Sequence, residues 1–255
     1  MCVQGDQLLV QLVSRDRIAA VSALAADPDI SPQWEKARGL PVTKGSAEEL
    51  VKLKPDLVLA GAYTTRVTVA ALKQLGVLVL ELGVANNFDE LRAQIRLVAL
   101  NLGEEARGEE IVHAMDARLA RLATGMPSAS DRPTALFYFQ DGFVPGGHTF
   151  ANAILEAAGF RNLGGAFSLG IGASASTETV VMARPQFLIL ARYLESNPTL
   201  TQVSQTQPLF TKLSKETEVL SVSFRHLACP DASNLDLAEY LHGQLAARNI
   251  KEDLK

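Results

Sequence analysis

The sequence predicts an α/β fold: two similar α/β lobes with mostly parallel sheets, joined by a single long α-helix, with a ligand cleft between the lobes. The first observation behind this is a repeat. Ser46-Ala47-Glu48 leads through Leu50, Val51 and Leu53 to Pro55, then to the apolar run Leu57–Ala60. Ser176-Thr177-Glu178 leads through Val180, Val181 and Met182 to Pro185, then to Phe187–Ala191. In both copies the glutamate stands seven residues before the proline. Each copy reads as a short helix begun by a serine cap, stopped before proline, and followed by a buried parallel-type strand. A repeat this long indicates paired lobes rather than a solenoid.

The second observation is the alternation of strand and helix patterns in each half. In the first half, residues 17–22 read as a strand and Asp27–Pro41 as a loop holding one helical turn. After Ser46–Leu53 and Leu57–Ala60, Thr65–Leu75 reads as a helix closed by Gly76, and Val77–Leu82 as a strand. Asp89 is placed to cap a helix whose stripe is Leu91, Ile95, Val98 and Leu102. In the second half, Ala135–Phe139 reads as a strand and Thr149–Ala158 as a helix, followed by a Gly-rich loop from Gly159 to Gly172. After the second repeat come a helix near Pro208–Leu213, a strand over Glu218–Ser223 and a last helix from Asn234.

The third observation lies midway between the repeats. From Glu104 to Ala123, Ile111, Val112, Met115, Leu119 and Leu122 share one helical face, which makes this segment the natural connector. The expected boundaries are therefore 1–103 for the N-terminal lobe, 104–126 for the connecting helix and 127–255 for the C-terminal lobe.

Composition narrows the class. Hydrophobic residues at 47% and charged residues at 20% describe a globular chain, and a net charge of −4 gives no reason to expect nucleic acid. No apolar stretch approaches the ~20 residues of a membrane span. Met1–Asp6 has neither a basic nor an apolar region of signal-peptide type. The two cysteines, Cys2 and Cys229, are too few for a disulfide framework or a structural zinc site.

Catalytic and metal motifs are scarce. Gly170–Ala175 lacks the third glycine, the preceding strand and the acidic partner of a dinucleotide loop. No nucleophile elbow is present, so an enzyme would need an unrecognised site. The four histidines form no ligand spacing; a divalent-metal site would have to combine His148, His226 and carboxylates from both lobes. No catalytic residue, resident metal or cofactor is assigned.

Loops at the carboxyl ends of the strands remain, where open α/β sheets bind ligands. Tyr63 and Arg66 follow the first repeated strand, and Phe143, Gly147 and His148 follow Ala135–Phe139. Tyr193 follows the second repeated strand, and Arg225 with His226 follows Glu218–Ser223. Trp34, in the loop from Asp27 to Pro41, is a further candidate. Aromatics beside glycines and cations suit a flat or anionic organic ligand.

With these residues in view, the chain resembles the substrate-binding proteins of bacterial ABC importers for iron–siderophore complexes, haem and cobalamin. The resemblance rests on Gly45–Val58, Leu72–Val77, Gly146-Gly147, Asn152–Gly159, and Ser176-Thr177-Glu178 with Pro185. It implies a protein that captures a metal chelate, performs no chemistry, acts as a monomer and works in the periplasm or anchored outside the membrane. It implies that Glu48 and Glu178 dock on basic pockets of a permease; the plainer alternative is a first-turn glutamate favoured by the helix dipole. It also implies a strand before the first helix, which makes the first strand of the N-terminal lobe missing or truncated here. Some cobalamin binders carry a large aromatic before the second glutamate; Gly172 stands there instead, which leaves room for a different ligand.

Overall fold

In the computed structural model, residues 3–62, 64–139, 141–167, 170–192 and 217–253 are described, and the chain divides into two compact units. Unit 1 comprises residues 1–85, 89–113 and 228–231; unit 2 comprises 86–88, 114–227 and 232–255.

Unit 1 is built from short parallel pairs with helices packed on them. Helix α1 (Val3–Leu12) precedes β1 (Val21–Ser22), and α2 (Trp34–Ala37) precedes β2 (Val42–Thr43). β1 and β2 pair in parallel, Val21 with Val42. Next come α3 (Ala47–Lys52), β3 (Val58–Gly61), α4 (Arg66–Gln74) and β4 (Val79–Leu82), with Val58 opposite Val79 in a second parallel pair. Helix α5 (Phe88–Leu102) buries Leu91, Ile95 and Val98, the stripe expected of it, but Asp89 lies inside its first turn and is not its cap. The expected strand over 17–22 shrinks to Val21–Ser22, because Arg15–Arg17 forms a single 3-10 turn.

Helix α6 (Glu105–Ala123) carries the chain out of unit 1 and into unit 2, the change falling between His113 and Ala114. Unit 2 holds a four-stranded parallel sheet in the order β10 (Glu218–Ser223), β9 (Phe187–Arg192), β5 (Thr134–Phe139), β7 (Arg161–Asn162). Its central strands are apolar on both faces, as parallel strands covered by helices must be. Leu136, Phe137, Phe187, Leu188 and Ile189 are all essentially inaccessible. Phe160 meets Phe187 edge to face, with ring centroids 4.9 Å apart. The antiparallel exception is β6 (Phe143–Pro145) with β8 (Gly172–Ser174), so part of the expected Gly-rich loop is strand. Helix α7 (Phe150–Ala157) starts at its Thr149 cap. The last helix, α9 (Leu235–Asp253), buries Leu237, Ala238, Leu241 and Leu245 as expected. Arg118 on α6 reaches Asp236 Oδ1 at 2.5 Å and both Glu239 oxygens at 2.8 Å, tying the C-terminal half of α6 to α9. The helix expected near Pro208–Leu213 lies outside the described residues.

The repeat folds as the same local structure twice. Ser46 Oγ accepts from Glu49 N at 3.2 Å at the start of α3. Ser176 Oγ accepts from Thr179 N at 3.2 Å at the start of α8 (Thr177–Met182). Leu50 and Val180, at matching positions, are buried. Both helices end on a basic residue in the left-handed region, Lys54 (φ 49°) and Arg184 (φ 46°), directly before the proline. Proline disfavours the right-handed helical region for its predecessor, so the chain leaves the helix there and turns into β3 or β9.

Asp6 on α1 is buried, and its carboxylate accepts from Ser22 Oγ at 2.5 Å and Ser22 N at 3.3 Å. Burial pushes its pKa up from 3.8 to about 6, against the two Ser22 hydrogen bonds. The folded protein therefore holds this proton more tightly than the unfolded chain. The stability it adds is full below 3.8 and is lost as pH rises through about 6. Asp6→Asn keeps an acceptor for Ser22 without the charge. It should stabilise the fold by about 2–3 kcal/mol at pH 8 and by little at pH 3, read from urea unfolding midpoints. An equal effect at both pH values would contradict this account.

Candidate ligand-binding site

In unit 2, several of the expected residues gather beyond the carboxyl ends of β5 and β10. Strand β5 ends at Phe139, and the chain turns back through Gly142 into β6, placing Phe143 beside it with ring centroids 5.8 Å apart. Strand β10 runs straight into a 3-10 turn, Phe224–His226. The Phe224 ring meets Phe139 edge to face at 5.6 Å, so Phe143, Phe139 and Phe224 form one aromatic row. Arg225 and His226 follow in the same turn and are half-buried.

The electrostatics of that turn are specific. Burial, and then the positive charge of Arg225, lower the His226 pKa below its ordinary value. The shift favours the neutral imidazole, and its buried Nδ1 has no hydrogen-bond partner among the described residues. A permanent guanidinium charge, a neutral imidazole and three rings offer an anion contact, a polar handle and a flat apolar contact together.

Phe139 and Phe224 were not assigned as site residues from the sequence, although both stand at strand ends. The missing signal was spatial: β5 and β10 flank β9, so their ends converge only once the sheet order is known. Gly147 and His148 lie on the turn from β6 into α7, and His148 is exposed. Trp34, half-buried at the start of α2, and Arg66, exposed at the start of α4, belong to unit 1. Tyr63 and Tyr193 lie outside the described residues.

Gly172 does a different job from the one expected. A side chain on it would overlap the Phe143 ring and the Val144 carbonyl oxygen. The space left by the absent side chain is thus filled by Phe143 and is not open to a ligand. Gly164 makes a second close approach, since a Cβ there would overlap the Pro145 carbonyl oxygen. Asn162 Oδ1 accepts from Gly164 N at 2.7 Å, and Asn162 Nδ2 donates to Asn152 Oδ1 at 3.1 Å, which ties this loop to α7.

Glu48 and Glu178 are both exposed in the first turn of their helices. Glu49, and not Glu48, closes the α3 capping arrangement: its carboxylate accepts from Thr43 Oγ1 and Lys44 N, both at 2.8 Å. The Glu178 carboxylate is held below the usual range by its own backbone amide and by the Ser176 hydroxyl. Among the described residues, no three His, Cys, Asp or Glu side chains come together as a metal-binding group. Among them, too, no helix is long and apolar enough to cross a membrane.

The chain belongs to the periplasmic binding protein family, whose profile matches residues 4–214. This is a family of substrate-binding transport proteins, not of enzymes. A cobalamin-binding protein of Halobacterium salinarum is 28% identical over 158 residues, covering 62% of this chain and 43% of that protein. An uncharacterised ABC transporter substrate-binding lipoprotein of Bacillus subtilis is 25% identical over 155 residues, covering 58% of this chain and 48% of its own length. The chain thus aligns with less than half the length of these relatives. The fold is shared with the periplasmic haem-binding protein of Roseiflexus sp. RS-1, with a TM-score of 0.73 and 23% identity, over 94% of this chain and 96% of that one.

Proposed function

We propose that this chain is the solute-binding component of an ABC importer, that it works outside the cytoplasmic membrane as a monomer, and that its solute is a metal chelate: a ferric siderophore, haem or cobalamin. The observation that carries the reading is the Phe143–Phe139–Phe224 row with Arg225 and His226 at its edge. Flat macrocycles and catecholate-type chelates present both π-faces and anionic groups, and this row meets both needs. Tyr63, Arg66, Tyr193, Trp34, Gly147 and His148 are proposed as further contacts. Glu48 and Glu178 are proposed to dock on the permease, because both are exposed at matching positions of the repeat.

A panel of haem, cobalamin and ferric siderophores, titrated against Trp34 fluorescence, tests the reading. Saturable binding of one chelate, recovered unmodified, is the expected result. Arg225→Ala should weaken binding of an anionic chelate by roughly 10–100-fold, since it removes a partly desolvated cation. Phe143→Ala should weaken it by about tenfold. Unchanged affinity in both variants would remove the aromatic row from the site. Stoichiometric zinc or manganese by elemental analysis, without any chelate bound, would favour a bare-metal carrier instead.

A further inference from the structure

The repeat carries a second charged pair beside Glu48 and Glu178. Six residues after each glutamate stands a cation, Lys54 after Glu48 and Arg184 after Glu178, and both are exposed. Each follows its helix with the same hydrogen bond, Lys54 N donating to Val51 O and Arg184 N to Val181 O, both at 3.1 Å. Among the described residues neither side chain has a hydrogen-bond or ion-pair partner. The positions around them differ between the copies: Lys52 is matched by Met182, Leu53 by Ala183 and Asp56 by Gln186. At 54 and 184 the positive charge is kept.

Both cations hold a backbone conformation that their residue type disfavours. Their φ values of 49° and 46° are the positive ones found outside glycine among the described residues. A Cβ makes the left-handed region unfavourable, and glycine or asparagine is the usual residue at such a helix end. The proline that follows explains why the helix stops, but it biases its predecessor towards extended backbone, not left-handed backbone. The helix dipole favours a cation near the C-terminus, yet by less than the left-handed backbone costs it.

We infer that Lys54 and Arg184 are a second pair of docking contacts, and that the permease meets each with an acidic side chain. This rests on the reading of the chain as the binding component of an importer. Each unit then presents an acid and, about 9 Å further along at 1.5 Å per residue, a base. An acid alone is drawn to any basic surface. An acid and a base at fixed spacing select a surface with the opposite order, because a like charge at either point is repelled. A bilayer of anionic lipid is a poorer partner. Exposed Leu53 and Met182 beside the cations would suit it, but a surface of one sign repels Glu48, Asp56 and Glu178, all exposed and within six residues of a cation.

The test uses the importer whose ATP hydrolysis the wild-type chain raises, held in phosphatidylcholine liposomes. Lys54→Gly with Arg184→Gly should weaken binding to that importer about tenfold or more and leave chelate affinity, read by Trp34 fluorescence, unchanged. Its urea unfolding midpoint should be equal or higher, since glycine suits the left-handed backbone. Lys54→Glu with Arg184→Glu should bind more weakly still, and Lys54→Arg with Arg184→Lys should bind as the wild type does. If the glycine variant binds the stimulated importer as tightly as the wild type, the inference falls and the importer reading stands. A drop in the urea midpoint that matches the loss of binding would also overturn it, making the cations helix stops. So would wild-type binding to phosphatidylglycerol liposomes without importer that the glycine variant loses, which would assign the cations to lipid headgroups. A wild-type chain that binds a chelate and stimulates no importer would overturn the reading and the inference together.

Discussion

A protein carrying both Glu48→Arg and Glu178→Arg should bind its solute with unchanged affinity and, on the proposed docking role, fail to stimulate an importer. Both carboxylates are exposed in the first turns of α3 and α8. Glu48 takes no part in capping, which falls to Ser46 and Glu49. Two separated acidic points fix the orientation of a protein on a complementary surface without demanding strong net attraction. Reversing both places like charges together at each point, a penalty of several kcal/mol, so stimulated ATP hydrolysis should fall by about 100-fold or more. The helix dipole makes a first-turn arginine unfavourable by ~0.3–1 kcal/mol, so the unfolding midpoint should drop only slightly. The Glu→Gln pair separates the two effects, because it removes the charges without reversing the dipole interaction. If the charge-reversed protein still drives transport, the glutamates are helix-start residues and nothing more.

Much of this architecture was legible because local signals agreed with tertiary ones. The serine caps, the prolines and the apolar runs after them specified both repeated helix–strand units, and the structure places all four elements within a residue or two of expectation. The stripes of α5 and α9 were equally readable, since burial there follows the 3.6-residue period. The antiparallel β6–β8 pair was not readable. Its strands are three residues long, and Gly172 and Pro145 both argue against a strand when taken alone. The pair forms because Gly172 lets β8 close on Phe143 and Val144, a fact about contact rather than propensity. The same holds for the site. Arg225 and His226 could be named from their place after a strand, but the bridge from Phe143 through Phe139 to Phe224 depends on sheet order. Short parallel strands do not announce their neighbours in sequence.

Gly172→Ala should be among the most damaging single changes in unit 2. Gly172 pairs with Pro145 across the β6–β8 ladder and has φ of +143°, a value that side chains rarely tolerate. Its new Cβ would overlap two groups of different stiffness. The Phe143 ring can swing aside; the Val144 carbonyl cannot, because Val144 is fully buried and paired with Ala173. Overpacking of this kind costs about 1–3 kcal/mol, and the unfavourable φ adds to it, so a loss of about 3 kcal/mol is expected from urea unfolding. Function should suffer separately, because a displaced Phe143 leaves Phe139 and breaks the aromatic row. Chelate affinity should fall at least as far as in Phe143→Ala. The double variant Phe143→Ala with Gly172→Ala relieves the ring overlap but not the carbonyl one, so it should recover part of the stability and none of the affinity. Gly147→Ala is the control: its Cβ would meet Gly165 Cα at 3.6 Å, an ordinary contact, so stability should change by less than ~1 kcal/mol. A Gly172→Ala protein as stable as the Gly147→Ala one would show that β8 does not close on Phe143. The shape assigned to the ligand surface would then be wrong.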